Sequence, residues 1–301
     1  MAFEALRFIH AAGVLIDHQL RDVSGVSAGM RSTLLDATTT SFERIVEACI
    51  EHEVDFLLLA GDTFAERDRS LRARFVLREG FECLQDAGIQ VFVVPGQADP
   101  AVAWQSISDL PDNVTVFSPE VDEPTAVMRD GNVIATLRGC LEQAQSAVGN
   151  DDTERGEIGE SRIAPFKIGI IPQTASSVAP TESVVDRWLQ KFRVDYLALP
   201  RPAGRLWGRG PERLAHCPGT ATSMTREDVG AHGCTLFTIE NRNQATQRHL
   251  VTSPIRREHP EIELDETDTW DELIAVMRRT VEAFDSLDQT SVLIIDWQFS
   301  G

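Results

Sequence analysis

The side chains that could take part in chemistry lie in three short loops near the amino terminus, and an apolar run precedes each loop. The loops comprise residues 13–17, 61–65 and 96–99. Asp62 and Asp99 offer carboxylates and Gln97 offers an amide oxygen, and such oxygens are ligands for divalent cations. Because an α/β sheet binds its ligands at the carboxyl ends of its strands, we expect these loops to meet at one sheet edge. The residues therefore indicate a candidate site at that edge.

The apolar runs before the loops predict buried strands. They are too short for helices and apolar on both faces, as buried strands are. The expected strands are residues 6–12, 56–60 and 91–95. Between them, apolar residues recur with the helical period of about 3.6. The expected helices are residues 41–51, and residues 71–87 with an apolar stripe of Phe75, Leu77, Phe81 and Leu84. This alternation predicts an α/β sheet.

The second half of the chain predicts more β structure and a separate carboxyl-terminal module. A hairpin is expected around the turn at Asp130 and Gly131. The other expected elements are strands at 166–171, 196–199, 235–239, 248–251, 261–264 and 292–299, and helices at 182–192 and 270–287. Because the pattern changes after Arg257, we expect a main domain at residues 1–257 and a small module at residues 258–301. The module packs on the main domain or belongs to a longer chain.

Composition limits the classes of protein that remain open. The net charge is −19, with 47 acidic and 28 basic residues, which disfavours nucleic-acid binding by charge neutralisation. Five cysteines without a C-x-x-C pair argue against a disulfide framework and a thiolate zinc site. No apolar run reaches the roughly 18 residues that a membrane span needs, and the first residues do not form a secretory signal. We therefore expect a cytoplasmic protein that does not enter a membrane.

Six landmarks in chain order resemble the calcineurin-like metallophosphoesterases. The first three are Phe8-Ile-His-Ala-Ala, Val54-Asp-Phe-Leu-Leu-Leu-Ala-Gly-Asp-Thr-Phe and Val93-Val-Pro-Gly-Gln-Ala-Asp-Pro. The others are Ile168-Gly-Ile-Ile-Pro, Asp195-Tyr-Leu-Ala-Leu-Pro, and Pro218-Gly-Thr running to Gly230-Ala-His-Gly. They cover residues 5–240 and are most similar to the SbcD-type DNA repair exonuclease branch. The resemblance implies a four-layer αββα sandwich, followed by the start of a small α+β cap module.

The resemblance also implies a site for two divalent ions, held by Asp, His and Asn side chains so that a bridging hydroxide attacks phosphorus. The seven ligand positions fall on Gly13, Leu15, Asp62, Gln97, Pro172, Arg201 and Ala203. The position of the proton-donating His falls on Ala98, and Asp99 matches an aspartate that braces the third loop. Asp62 alone keeps the family's ligand, and Gln97 adds one neutral oxygen. Because these two groups do not hold two ions, the resemblance implies a degenerate site.

Two main hypotheses of function follow from this resemblance. The first is an inactive homologue without a cofactor, whose scaffold binds a partner protein. The resemblance implies an SbcC-like ATPase as that partner, and a homodimer formed through the early helices. The second is an active phosphoesterase or exonuclease that uses Mn or another divalent metal at a site rebuilt around Asp62, Gln97, Asp99 and Arg201, because an arginine stabilises phosphate charge. DNA binding without cleavage is a third hypothesis, which the acidic composition disfavours.

Two histidines near the first loop have different expected roles. Asp17 and His18 form the nearby pair of an acid and an imidazole that could rebuild a site. His10 lies inside the first expected strand, so we expect it to be a buried core residue.

Overall fold

A computed structural model describes most of the chain. The described residues are 5–20, 23, 26–107, 109–117, 124–140, 166–171, 181–200, 206–210, 213–241, 244–265, 269–285 and 291–301. The predicted site positions Pro172, Arg201 and Ala203 lie outside these residues.

The described residues form an alternating series of helices and strands. The helices are α1 (Ala28–Glu51), α2 (Leu71–Asp86), α3 (Ala101–Gln105), α4 (Glu182–Phe192) and α5 (Trp270–Asp285), and a 3-10 turn spans Glu66–Asp68. The strands are β1 (Leu6–Ala11), β2 (Phe56–Ala60), β3 (Gln90–Val94), β4 (Val114–Val116), β5 (Thr125–Arg129), β6 (Asn132–Gly139), β7 (Phe166–Ile170), β8 (Tyr196–Ala198), β9 (Leu206–Gly210), β10 (Arg213–Cys217), β11 (Gly233–Asn241), β12 (Gln244–Val251), β13 (Ile255–Glu258), β14 (Glu261–Glu263), β15 (Val292–Ile295) and β16 (Gln298–Ser300).

Two six-stranded sheets lie at the centre of the fold. Their strand orders are β12-β11-β1-β2-β3-β4 and β5-β6-β7-β8-β10-β9. In the first sheet, β1 to β4 are parallel neighbours and β11 pairs with β1 in the antiparallel sense. The sheets pack face to face through buried apolar side chains from both, such as Phe8 of β1, whose ring meets the ring of Tyr196 of β8 edge-on at 5.2 Å.

Helices cover the outer faces of both sheets. Helices α1 and α2 pack on the first sheet through Phe42, Leu77 and Phe81, and α4 packs on the second sheet through Val185 and Leu189. The order helix, sheet, sheet, helix is a four-layer αββα sandwich, so the predicted fold class is confirmed.

Helix α1 is about twice as long as the helix predicted at residues 41–51. Its first half leads into a run of three threonines and a serine at residues 38–41, and these residues are weak helix formers. Contacts with the carboxyl-terminal strands stabilise this half. They involve Leu34, Ala37, Ile255 and Val292. The predicted helix was too short because the helix propensity of a segment does not include its contacts with distant parts of the chain.

The apolar stripe of α2 also differs from the prediction. Ala73, Leu77, Phe81 and Leu84 are buried, whereas Phe75 is 60% exposed. Phe75 lies two positions before Leu77, which places it about 200° away around the helix axis. The prediction that Phe75 joins the buried stripe is therefore wrong.

The carboxyl-terminal module contains two separate pairs of parallel strands. Strand β13 pairs with β15, and β14 pairs with β16. The single strand predicted at 292–299 is thus two strands, because the chain changes partner around Asp296. The predicted domain boundary at residue 257 falls within β13 and stays a prediction. Within the described part of the chain, no helix has the length and apolar character needed to cross a membrane.

Candidate functional site

The three candidate loops meet at the carboxyl edge of the first sheet, as the sequence predicts. Because β1, β2 and β3 are parallel neighbours, their carboxyl ends lie side by side. The first loop then runs along the second. The backbone N–H groups of Gly13 and Leu15 donate to the carbonyl oxygens of Gly61 and Asp62, each at 3.0 Å. Backbone hydrogen bonds therefore hold the first loop against the second.

The carboxylate of Asp99 joins the second and third loops. Its Oδ1 accepts hydrogen bonds from the backbone N–H groups of Asp62 at 3.0 Å and Gly96 at 2.7 Å. Its Oδ2 accepts from the N–H of Thr63 at 3.0 Å and from the Trp104 indole at 3.1 Å. Burial raises the pKa of Asp99 to about 6, although several of these donors oppose the rise. Each oxygen accepts two hydrogen bonds, so Asp99 braces the loops and is not available as a metal ligand.

Asp62 has a different environment from Asp99. It is 6% exposed, and its Oδ1 accepts a hydrogen bond from the backbone N–H of Ala98 at 2.8 Å. Among the residues that the structure describes, none donates a hydrogen bond to Oδ2 or forms an ion pair with this carboxylate. Asp62 is therefore an enclosed carboxylate that no cation contacts within the described part of the chain.

Several loop residues have a left-handed backbone. The φ angles are +55° at Gly13, +49° at Leu15 and +52° at Asp62. Glycine tolerates this conformation and aspartate adopts it with modest cost, but for leucine it costs about 1–2 kcal/mol. The surrounding hydrogen bonds hold Leu15 in this conformation, and its side chain is only 8% exposed. Leu15 thus occupies a predicted ligand position with an apolar side chain.

A cleft of about 500 Å³ opens beside Asp62. Its polar lining comes from His18, Gln19, Asp62, Glu66, Arg67, Gln97 and Thr225, and its apolar lining from Leu15, Ala65, Ala98, Pro100 and Met224. The structure thus brings together Leu15, Asp62, Gln97 and Ala98 of the predicted site. Gly13 and Asp99 support the same loops from behind.

Asp17 and His18 do not form a pair with each other. The Asp17 carboxylate accepts hydrogen bonds from the Ser70 hydroxyl at 2.5 Å and from the Arg72 guanidinium at 3.3 Å. The His18 Nδ1 instead contacts Oδ2 of Asp68 at 2.6 Å. His18 lines the cleft, whereas Asp17 ties the first loop to the start of α2.

His10 is a core residue, as predicted. It is fully buried, and its Nδ1 lies 2.8 Å from the Tyr196 hydroxyl. Burial and the nearby His216 hold the pKa of His10 well below its usual value. A neutral imidazole between the two sheets is consistent with a structural role.

Two contributors to the site were missed in the sequence. Asp68 holds His18, and the indole of Trp104 donates to Asp99. The polar turn Glu66–Asp68 directly after the second loop was a signal for the first. Trp104 gave no comparable signal, because its position five residues after an aspartate does not distinguish a hydrogen-bond donor to that aspartate from an ordinary core side chain.

The residues present do not fit a pair of divalent ions. The side chains of Gly13 and Leu15 carry no atom that can bind a metal ion. Both oxygens of Asp99 already accept hydrogen bonds from backbone N–H groups. Asp62 and Gln97 supply one carboxylate and one weak neutral oxygen. Within the described ranges, no group of three or more His, Cys, Asp or Glu side chains could hold a metal ion.

An αββα sandwich with a cleft at the carboxyl ends of its first strands is the arrangement expected of a metallophosphoesterase. The chain is 33% identical over 239 residues to YhaO of Bacillus subtilis, an uncharacterized metallophosphoesterase. The match covers 78% of this chain and 58% of the relative. The chain is therefore a homologue of the metallophosphoesterases. It spans 58% of the length of this curated relative, and no family model matches it.

Two solved structures also resemble the chain. One is an archaeal phosphodiesterase, 10% identical with a TM-score of 0.40, in a match covering 81% of this chain and 100% of that chain. The other is vacuolar protein sorting 29 from Cryptosporidium parvum, 12% identical with a TM-score of 0.40, covering 81% and 96%. Similarities this low add nothing to the assignment of class or function.

The close contact of Gly96 with the second loop predicts a large effect of a single methyl group. A Cβ atom at Gly96 would lie 2.2 Å from the Asp62 backbone nitrogen and 2.8 Å from Oδ1 of Asp99. We expect Gly96→Ala to lower the free energy of unfolding by about 1–3 kcal/mol, because backbone atoms must move. Urea denaturation measures this change. In the control Gly139→Ala, no described atom lies within 4 Å of the new Cβ, and equal losses in both variants would contradict the prediction.

The raised pKa of Asp99 predicts a pH-dependent contribution to stability. With a pKa of about 6 in the folded protein and about 3.9 when unfolded, the folded state binds the proton more tightly between these values. The contribution of Asp99 to the free energy of unfolding therefore grows as the pH falls from about 6 towards 4, at up to about 1.4 kcal/mol per unit.

The matched variant for this test is Asp99→Asn, which does not titrate. Urea denaturation at about pH 7 and about pH 5 should show that the stability difference between the native chain and the variant grows by about 1 kcal/mol at the lower pH. A difference that stays constant would mean that the four N–H donors keep the carboxylate ionised.

Proposed function

We propose that this chain is an SbcD-like DNA repair exonuclease homologue that has lost its dinuclear metal centre and phosphodiesterase activity. In this proposal the scaffold is retained to bind a partner protein. The observation that carries the proposal is at the first loop. Its backbone hydrogen bonds hold it against the second loop, while its ligand positions hold Gly13 and an apolar Leu15.

The chemistry of two-metal hydrolysis supports the same proposal. Such hydrolysis needs carboxylate and imidazole ligands around both ions and an acid for the leaving oxygen. The described site offers Asp62 and Gln97 as ligands, and the position of the acid is Ala98. The alternative, an active hydrolase rebuilt around Asp62, Gln97, Asp99 and Arg201, has less support because the oxygens of Asp99 are saturated by N–H donors.

Partner and location are also proposals. An SbcC-like ATPase is the partner class that the resemblance implies, and a net charge of −19 disfavours DNA. A cytoplasmic location rests on the sequence alone. A second copy of the chain is the other proposed partner, because Leu71 and Phe75 are 80% and 60% exposed on one face of α2.

Metal binding tests the proposed loss of activity. After equilibrium dialysis against Mn²⁺, we expect well under one ion per chain and no Mn-dependent cleavage of linear DNA, because the ligand set is incomplete. The matched variant Gly13→Asp/Leu15→His/Gln97→Asn returns three ligands and should bind Mn²⁺ more tightly than the native chain. About two ions per native chain, with hydrolysis that Asp62→Ala abolishes, would overturn the proposal.

Sedimentation velocity tests the proposed homodimer. We expect a concentration-dependent dimer that Phe75→Glu weakens about tenfold or more, because the exposed ring would lie at the interface centre. Val229→Glu is the control, since Val229 is also exposed but lies in a loop far along the chain from α2. A native chain that stays monomeric, or equal effects of both substitutions, would exclude dimerisation through this face.

A further inference from the structure

The carboxylate of Asp62 is enclosed, and no cation pairs with it among the residues that the structure describes. Asp62 is only 6% exposed. Removing an ionised carboxylate from water costs free energy unless a cation or several hydrogen-bond donors contact it. Its hydrogen bond comes from one neutral backbone N–H, that of Ala98. The neighbouring Asp99 has four donors of its own and adds a second carboxylate behind Asp62.

Within the described lining of the cleft, no Arg or His side chain forms an ion pair with Asp62 either. Glu66 adds a further carboxylate to the lining. Arg67 is a cation of the lining, but its Nε lies 3.7 Å from the carboxylate of Asp68 and its side chain is 69% exposed. Asp68 also holds the Nδ1 of His18. A negative potential at the bottom of a cleft attracts cations and repels phosphate groups.

The cleft also has the shape for a small organic group. Its volume is about 500 Å³, which exceeds what a single amino-acid side chain occupies. Leu15, Pro100 and Met224 supply apolar walls, and an aliphatic stem packs well on such walls while its charged end reaches a polar group. Gln97 supplies a neutral carbonyl oxygen near Asp62 as a second acceptor.

We infer that this cleft binds an organic cation, an ammonium or guanidinium group on an aliphatic stem, with Asp62 as its counter-ion. The inference rests on the proposed loss of the metal centre, since divalent ions would otherwise occupy the same carboxylate. The cationic group donates to Oδ2 of Asp62 and to the Gln97 carbonyl oxygen, and its stem lies against Leu15 and Met224. Two sources share this chemistry, namely a free amine and the Lys or Arg side chain of a protein.

Calorimetric titration in metal-free, low-salt buffer tests the inference. The probes are agmatine, the peptide acetyl-Gly-Arg-Gly-amide and its neutral counterpart acetyl-Gly-norleucine-Gly-amide. We expect the cationic probes to bind and the neutral peptide not to bind. Asp62→Asn keeps an acceptor for the Ala98 N–H and tolerates the left-handed backbone, so the variant should fold and bind the cationic probes about tenfold or more weakly. Glu47→Gln removes an exposed carboxylate of α1 and should leave binding unchanged.

The outcomes separate this inference from the proposed function. Tighter binding of agmatine than of the Arg peptide supports a free amine, and the reverse order supports a side chain of a partner protein. No binding of either cationic probe, equal binding of the neutral peptide, or equal affinity in Asp62→Asn would overturn the inference. Stoichiometric Mn²⁺ binding in a parallel titration would instead overturn the proposed loss of the metal centre.

Discussion

Four hydrogen bonds to the carboxylate of Asp99 hold together the loops on which the candidate site depends. The donors are three backbone N–H groups of the second and third loops and the indole of Trp104. A buried carboxylate is stable when donors or cations saturate it, and here the protein supplies the donors. The close approach of Gly96 to Asp62 follows from the same contact. Hydrogen bonds to a single side chain therefore join the second and third loops.

The groups that hold the loops together are separate from the side chains at the predicted ligand positions. The first loop is held by backbone bonds to the second loop, which do not depend on the side chains at Gly13 and Leu15. Leu15 even keeps a left-handed backbone that is unfavourable for leucine. Asp62 is enclosed, and no cation pairs with it in the described ranges of the chain. The proposed cation site follows from this lack of a counter-ion, whereas the proposed loss of activity rests on the side chains at the predicted ligand positions.

Much of the fold could be predicted, because continuous apolar runs of strand length report burial directly. The strands before the three loops and the hairpin were predicted within about one or two residues, and so was α4. The first half of α1 could not be, since its helical state depends on contacts with Ile255 and Val292, far along the chain. Phe75 was misplaced because it lies two positions before Leu77, and this spacing puts it on the opposite face of the helix. The pairing of His18 with Asp68 rather than Asp17 likewise depends on how the loop folds back.

The sequence by itself determined the alternation of strands and helices, the acidic balance and the side chains at the predicted ligand positions. The lack of metal ligands at Gly13 and Leu15 follows from residue identity alone. The side chains of glycine and leucine carry no atom that binds a metal ion in any conformation. Only the tertiary structure decided which of two similar aspartates is saturated. From the described residues, Asp99 receives four N–H donors and Asp62 receives one. Hydrogen-bond saturation depends on the direction of backbone groups from separate loops, and residue types along the chain do not specify that direction.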